Sequence, residues 1–100
     1  MGSSDQKIAV ENVNVPGKSH NVDAVKYHAM KTAFLKILPT ASPGLTQKEI
    51  QQQVVEYLPD YIFPGGAKAG WWAKTVQLDL EAKGMVVRES GKPLRWYKVR

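Results

Sequence analysis

At Gly84 the spacing of apolar residues along the chain changes from three or four residues to two. Upstream, the spacing is that of a helix over roughly residues 68–83, which Gly84 can end as a left-handed C-cap residue. Downstream, residues 85–89 and 94–99 alternate like β-strands, and Ser90 to Pro93 between them carry a turn signal. The sequence therefore predicts a helix that leads directly into a β-hairpin. The apolar face of this helix consists of Ala69, Ala73, Val76 and Leu80.

The N-terminal part of the chain begins with a predicted strand. Residues 8–15 alternate apolar and polar positions and end at a turn signal over residues 16–18. This strand can pair with residues 19–22 as a hairpin. We expect residues 1–7 to be a disordered or expression-derived N-terminus and residues 8–100 to form a single domain, since 100 residues is the size of one domain.

Two helices are predicted between these hairpins. The first is capped by Asn21 or Asp23 and runs to about Leu38. The second begins at Thr46, because Thr46 and Glu49 have the spacing of a capping box, and the next proline ends it. Their predicted buried faces are Met30, Ala33, Phe34, Ile37 and Leu38 in the first helix, and Ile50, Val54, Tyr57 and Leu58 in the second.

The order of three helices followed by a hairpin is that of a winged helix, an α+β fold. In this fold the second and third helices form a helix-turn-helix, and the hairpin forms the wing. Residues 8–100 are therefore predicted to be one winged-helix domain.

Sequence patterns in the same regions resemble known families. The run from Leu80 to Arg88 resembles the "leucine, charged residues, glycine, hydrophobic pair, arginine" join of many bacterial winged-helix regulators. With the aromatic strand from Trp96 to Val99, it is also similar to the N-terminal winged-helix domain of Mrr-type restriction endonucleases. From Val10 to Val99 the chain resembles a family of short bacterial proteins of unknown function that share the stretch Pro64 to Trp72. This last resemblance implies a fold and no activity.

The positive charge of the chain is concentrated at its C-terminal end. The net charge is +5, from 14 Lys and Arg against nine Asp and Glu. Residues 83–100 hold six of the basic residues against Glu89 alone, so this segment accounts for the whole excess. Such a segment fits a polyanion partner such as DNA, and it equally fits a solvated basic surface without a ligand. Both interpretations stay open.

Several function classes are disfavoured by composition. Cysteine is absent, which removes disulfides and thiolate chemistry and is compatible with a reducing cytoplasm. Apolar runs are far shorter than the roughly 20 residues of a membrane span, and Met1 to Gln6 is polar. His20 and His28 lack a ligand cluster, and the glycines around Lys68 match no phosphate-loop pattern. We expect a cytoplasmic protein that is not an enzyme, with no metal, cofactor or membrane contact.

The predicted third helix supplies the first candidate site. If it enters a DNA major groove, the residues near its start that lie off the apolar face would meet the nucleic acid. Arg, Asn and Gln are missing from its first two turns, and Asp79 and Glu81 follow with the wrong sign. Binding is therefore predicted to be weakly sequence-specific. The candidate residues are Lys68, Trp71, Lys74, Thr75 and Leu78.

The predicted wing supplies the second candidate site. Strand alternation assigns Tyr97 and Val99 to the core and sends Trp96, Lys98 and Arg100 outward. Cations with an interleaved aromatic ring suit a surface that follows a phosphate backbone. The alternative is a solvated edge strand whose charges only discourage aggregation. The candidate phosphate contacts are Arg88, Lys92, Arg95 and Lys98.

Trp71 and Trp72 point about 100 degrees apart on a helix, so one of them must leave the core. Trp72 is predicted to face the core. Trp71 then packs under residues 8–15, stacks on nucleobases or anchors a protein partner. A second function is therefore a protein-interaction or dimerisation module, in which Trp71, Leu78 and the aromatic connector over residues 61–63 form an apolar patch.

Overall fold

The structure is a computed structural model that describes residues 6–99. Within these residues the chain has the α+β class that the sequence predicts, with three α-helices and two small antiparallel sheets. Short 3-10 turns over Val55–Tyr57 and Pro64–Gly66 lie between the second and third helices. The elements in chain order are β1 (Lys7–Glu11), β2 (Ser19–Asp23), α1 (Ala24–Ile37), β3 (Leu45–Thr46), α2 (Gln47–Val54), α3 (Ala69–Ala82), β4 (Val86–Glu89) and β5 (Arg95–Lys98).

Strands β1 and β2 form the predicted hairpin, which we call the N-terminal hairpin. They pair antiparallel, with Val10 opposite His20. The first strand is shorter than predicted, because Asn12 turns the chain by accepting hydrogen bonds from the N–H groups of Asn14 and Val15. It also begins earlier, at Lys7, inside the segment expected to be a disordered N-terminus. Residues 1–5 of that prediction lie outside the described residues.

Both predicted helix starts in the first half of the chain are confirmed. Asp23, one of the two candidate caps, accepts a hydrogen bond from the N–H of Lys26 at 3.0 Å. The capping box of α2 is complete, since Thr46 and Glu49 exchange side-chain to backbone hydrogen bonds of 2.9 and 3.2 Å. Helix α2 ends at Val54, and the following 3-10 turn leaves Tyr57 48% exposed. The prediction that Tyr57 lies in the core is therefore wrong.

The second sheet has the strand order β3-β5-β4. Strands β4 and β5 form the predicted hairpin, called here the C-terminal hairpin, with Val86 opposite Lys98. Strand β3 was not predicted from the sequence, and its Leu45 pairs with Trp96. Gly44 makes this pairing possible, because a Cβ at this position would lie 2.1 Å from the carbonyl oxygen of Trp96.

The predicted orientation of β5 is wrong. Trp96 is buried, at 4% exposure, whereas Val99 is 51% exposed. Alternation shows that two faces exist but not which one is covered, and here the Trp96 indole packs inward and donates a hydrogen bond to Glu81 at 3.0 Å. Arg100, which was predicted to point outward, lies outside the described residues.

The core lies between the three helices and is closed by the two sheets. The predicted apolar face of α3 is confirmed, since Ala69, Ala73, Val76 and Leu80 are all buried. On the opposite face of α3, Trp71 and Lys74 are exposed. The largest fully buried core side chains are Tyr27, Phe34, Phe63, Met30, Ile50 and Leu80.

Candidate nucleic-acid interface

The two adjacent tryptophans of α3 lie on opposite sides of the core boundary, as predicted. Trp72 is buried at 6% exposure, whereas Trp71 is 54% exposed. Their ring centroids are 5.0 Å apart with the planes at 80°. Phe63 packs edge-on against Trp72 from within the core. The exposed indole is therefore supported by a buried aromatic pair.

One cleft beside Trp71 separates α3 from the N-terminal hairpin. The α3 side consists of Trp71, Lys74, Thr75 and Leu78, and the hairpin side consists of Glu11, Asn12 and His20. The hairpin therefore flanks Trp71 without covering it. One predicted alternative was that Trp71 packs under residues 8–15. The hairpin lies beside Trp71, but more than half of the Trp71 surface is exposed, so the residue is not packed under it.

A second cleft lies between Trp71 and the start of α1. Lys26 and Lys68 line it together with Trp71 and Trp72. With Lys74 in the first cleft, three lysines flank the Trp71 ring. Within residues 6–99, none of these lysines forms an ion pair with a carboxylate.

Sequence reasoning missed Lys26. It lies in α1, more than 40 positions before Trp71 in the printed chain. Only the packing of α1 on α3 brings the two residues to one cleft. No local spacing signal could have found this neighbour.

Lys68, the residue before α3, has an unusual backbone conformation. Its φ is +61° and its ψ is +18°, in the left-handed region. This conformation costs a residue with a Cβ about 1–2 kcal/mol relative to glycine, which adopts it freely. Its side chain makes no capping hydrogen bond to α3 and is exposed. A cation is thus held at a position whose backbone suits glycine.

Asp79 does not present negative charge to the outer face of α3. It is completely buried, at 0% exposure. It accepts hydrogen bonds from the Tyr27 hydroxyl, from Lys83 Nζ at 2.9 Å and from the backbone N–H of Glu11 at 2.8 Å. Burial raises the pKa of Tyr27, and the hydrogen bond to Asp79 raises it further, so the hydroxyl keeps its proton.

Glu81 is likewise occupied within the molecule. Its carboxylate accepts hydrogen bonds of 3.0 and 3.2 Å from Arg88 and one of 3.0 Å from Trp96. Asp79 and Glu81 were expected to repel phosphate from this helix. Neither residue presents a free carboxylate on this face, because Asp79 is paired with Lys83 and Glu81 with Arg88, and both carboxylates are almost inaccessible to solvent.

The cations of the C-terminal hairpin do not join the group around Trp71. Arg88 is bound to Glu81 and lies 5.9 Å from the centroid of the Trp96 ring. Arg95 contacts the Gly44 carbonyl oxygen at 3.2 Å and lies 3.6 Å from Glu49. Lys98 donates to the Leu35 carbonyl oxygen near the end of α1. Lys92 is exposed in the turn between the strands.

The nine predicted contacts therefore divide into two sets, and Leu78 lines the same cleft as Trp71, Lys74 and Thr75. Lys68, Trp71, Lys74 and Thr75 share one face, while Arg88, Lys92, Arg95 and Lys98 are spread over the second sheet. A family model matches residues 7–96. The chain belongs to DUF6958, a family of unknown function. No curated protein and no solved structure matches it.

The DUF6958 match extends from β1 into β5, so the N-terminal hairpin belongs to the family domain. Both walls of the clefts beside Trp71 therefore lie within the matched region. No helix between residues 6 and 99 is long and apolar enough to cross a bilayer. In the same range, no three His, Asp or Glu side chains are grouped as a metal site.

Proposed function

We propose that this domain is a cytoplasmic winged helix that binds DNA with low sequence specificity. The element order α1, β3, α2, α3, β4, β5 and the sheet order β3-β5-β4 support the fold. In this assignment α2 and α3 are the helix-turn-helix, and the C-terminal hairpin is the wing. The resemblance of Leu80 to Arg88 to bacterial winged-helix regulators, and of the aromatic strand to Mrr-type domains, agrees with it.

One observation carries the proposed function. Trp71 is more than half exposed on α3, and Lys26, Lys68 and Lys74 flank it without acidic partners in the described part of the chain. Lysines neutralise phosphates and release counterions, and an indole stacks on any base. With Asp79 buried, Glu11 is the one carboxylate among the described residues that line the two clefts beside Trp71.

The low specificity follows from the residues that remain accessible. Bidentate reading of bases uses Arg, Asn or Gln in the groove. Gln77, the one such residue in α3, is buried at 3% exposure. Lysine and threonine contacts to phosphates position a duplex or strand without reading its sequence. Lys92 in the exposed turn of the C-terminal hairpin can add a further phosphate contact.

The test is a binding titration with labelled mixed-sequence oligonucleotides, both single- and double-stranded, at about 50 mM salt. We expect micromolar or tighter affinity that falls with salt, and a log-log slope of about −4 to −5 if four to six phosphates are neutralised. Lys74→Glu and Lys26→Glu should each weaken binding. Lys36→Glu is the matched control, because Lys36 lies over the Tyr57 ring, away from both clefts. Absence of binding at micromolar protein, or equal losses in all three variants, would contradict the proposal.

A second function is supported by the exposed aromatic residues. Tyr61 in the connector is 87% exposed, and Trp71 shares its cleft with the apolar side chain of Leu78. Such a surface fits a protein partner or a second copy of the chain. Sedimentation of the wild type and of Trp71→Ala tests the dimer. A wild-type monomer at high micromolar concentration would remove that form of the second function.

A further inference from the structure

We propose that the ligand of the Trp71 surface is single-stranded DNA in preference to a duplex. One base stacks on Trp71, and the phosphates on either side contact Lys26 and Lys68 in one direction and Lys74 in the other. This proposal rests on the proposed function and narrows it, because a winged helix would ordinarily insert its third helix into a duplex.

The first reason is the N-terminal hairpin, which lies along α3. Its strand β1 is anchored by the buried Val10 and by the hydrogen bond from the Glu11 N–H to Asp79. Its loop continues toward the end of the helix, where Pro16 and Lys18 share a cleft with Ala82. This cleft and the cleft between Trp71 and the hairpin both include α3 residues from the side that faces away from the core, Ala82 in the first and Trp71 in the second. The hairpin is therefore a wall beside the face that would have to enter a groove.

The dimensions make this wall an obstacle to a duplex. A major groove is about 12 Å wide and admits one helix or one two-stranded ribbon. A helix with its side chains is already about 10–12 Å across. A hairpin beside the helix increases this width further, because its two strands alone are separated by roughly 5 Å. Helix α3 and the N-terminal hairpin together are too wide for the groove, whereas a single strand can lie in the cleft between them and pass over Trp71 into the second cleft.

The second reason is the exposure of the Trp71 ring between the two clefts. This ring meets the buried Trp72 edge-on, with centroids 5.0 Å apart, and it lies between the two clefts. A base can stack on this ring because more than half of the Trp71 surface is exposed. Bases in a duplex are already stacked on each other and present only their edges. Stacking on Trp71 therefore requires a splayed base, which a single strand provides.

The charges around Trp71 orient the strand. Lys26 and Lys68 line one cleft, and none of the residues that line it within the described range 6–99 is a carboxylate. Glu11 lines the other cleft together with Lys74, Thr75, Asn12 and His20. Because the Glu11 carboxylate repels phosphate, we assign the base edge to the hairpin side of this cleft. The backbone then passes over Lys74 and continues toward the other two lysines.

Tryptophan fluorescence tests the proposal directly. Trp72 and Trp96 are buried, so quenching by a stacked base reports on Trp71. Three probes carry the same number of phosphates per strand: a mixed-sequence strand of about 12 nucleotides, its duplex, and an abasic strand of the same length. We expect the strand to quench Trp71 and to bind about 5- to 150-fold more tightly than the abasic strand, the factor that corresponds to base–aromatic stacking. The duplex is expected to bind more weakly than the strand.

Variants separate stacking from charge. Labelled strands followed by anisotropy should bind Trp71→Ala about 5- to 150-fold more weakly, while the affinity for the abasic strand stays unchanged. Trp71→Phe should retain most of the wild-type affinity, since a phenyl ring also stacks. Tyr61→Ala, which removes an exposed aromatic residue outside both clefts, should bind like the wild type. Circular dichroism verifies that each variant is folded.

The failures of the two proposals are distinguishable. If the duplex binds as tightly as the strand, or if the abasic strand binds as tightly as the normal one, the single-strand assignment is wrong while DNA binding stands. If none of the three probes binds, the proposed function itself is wrong. If an RNA strand of the same sequence binds tenfold more tightly than the DNA strand, the assignment to DNA is overturned.

Discussion

The Tyr27 hydroxyl donates a hydrogen bond to Oδ2 of Asp79, and both side chains are almost completely buried. The other carboxylate oxygen accepts the backbone N–H of Glu11 at 2.8 Å. One carboxylate therefore joins α1, α3 and the N-terminal hairpin. The position of the N-terminal hairpin beside Trp71 thus depends on Asp79, which the sequence suggested was part of the surface of α3.

Tyr27→Phe should destabilise the fold without changing the shape of the core. The substitution removes one donor and leaves a buried, charged acceptor short of a partner, which costs about 1–3 kcal/mol. Urea unfolding measures the loss. Tyr57→Phe is the control, because that hydroxyl belongs to a half-exposed ring, and its effect should stay within about 0.5 kcal/mol. Equal effects of the two substitutions would mean that the Asp79 hydrogen bond contributes no stability.

Gly44→Ala should be among the most damaging single changes in this chain. The new Cβ would lie 2.1 Å from the carbonyl oxygen of Trp96, which is backbone and cannot rotate away. We expect a loss above about 3 kcal/mol or failure to fold, because β3 must separate from β5. Gly70→Ala in α3 is the matched control. Its Cβ would meet only the flexible Gln51 side chain at 3.4 Å, so helix propensity should make it neutral or up to about 1 kcal/mol stabilising. A mild Gly44→Ala phenotype in thermal unfolding would show that the β3–β5 pairing is dispensable.

The elements that could be predicted from sequence are those specified by local chemistry. The Thr46–Glu49 capping box, the Asp23 cap and Gly84 at the end of α3 each act within a few residues. Strand β3 could not be predicted, because two residues are too short to show a period. It is a strand only because β5 offers an edge to pair with. The burial of Trp96 could not be predicted either, because alternation shows two faces of a strand and tertiary packing decides which face is buried.

The candidate site divides in the same way. The separation of Trp71 from Trp72 follows from helix geometry alone and was predicted correctly. The roles of Asp79 and Glu81 were not predictable, because their partners Tyr27, Arg88 and Trp96 come from other elements. Formal charge along the chain therefore overstated the acidity of the α3 surface. It also overstated how many cations of the C-terminal hairpin are free to bind a ligand, because Arg88, Arg95 and Lys98 each contact an oxygen atom of the same chain.

Stability should decrease in acid because of two carboxylates around the start of α2. The N–H of Thr46 lowers the pKa of Glu49, and the hydroxyl of Ser42 followed by the N–H of Gly44 lowers the pKa of Glu89, both from 4.5. The unfolded chain then binds more protons than the folded one below this pH, so stability is fully present above about pH 4.5 and is lost as the pH falls further.

Thermal midpoints measured from roughly pH 6 down to pH 3 check this prediction. The double variant Glu49→Gln, Glu89→Gln should start at a lower midpoint and fall less steeply than the wild type. Glu56→Gln, in the exposed turn after α2, should keep the wild-type slope. A double variant with an unchanged slope would mean that these two hydrogen-bonded carboxylates are not the acid-sensitive groups.

Lys68→Gly should separate the stability of the domain from the DNA binding that we propose. Glycine relieves a left-handed conformation that costs about 1–2 kcal/mol but increases the entropy of the unfolded chain by about 0.5–1 kcal/mol, so the variant should be up to about 1.5 kcal/mol more stable. The same change removes one cation beside Trp71, which should weaken binding and reduce the salt slope by about one. Lys74→Ala is the comparison: it loses a cation from a regular helix position, so affinity should fall while stability stays nearly constant. Urea unfolding and salt titrations of both variants give the two quantities. A destabilised Lys68→Gly would rule out the strain, and an unchanged affinity would exclude Lys68 from the interface.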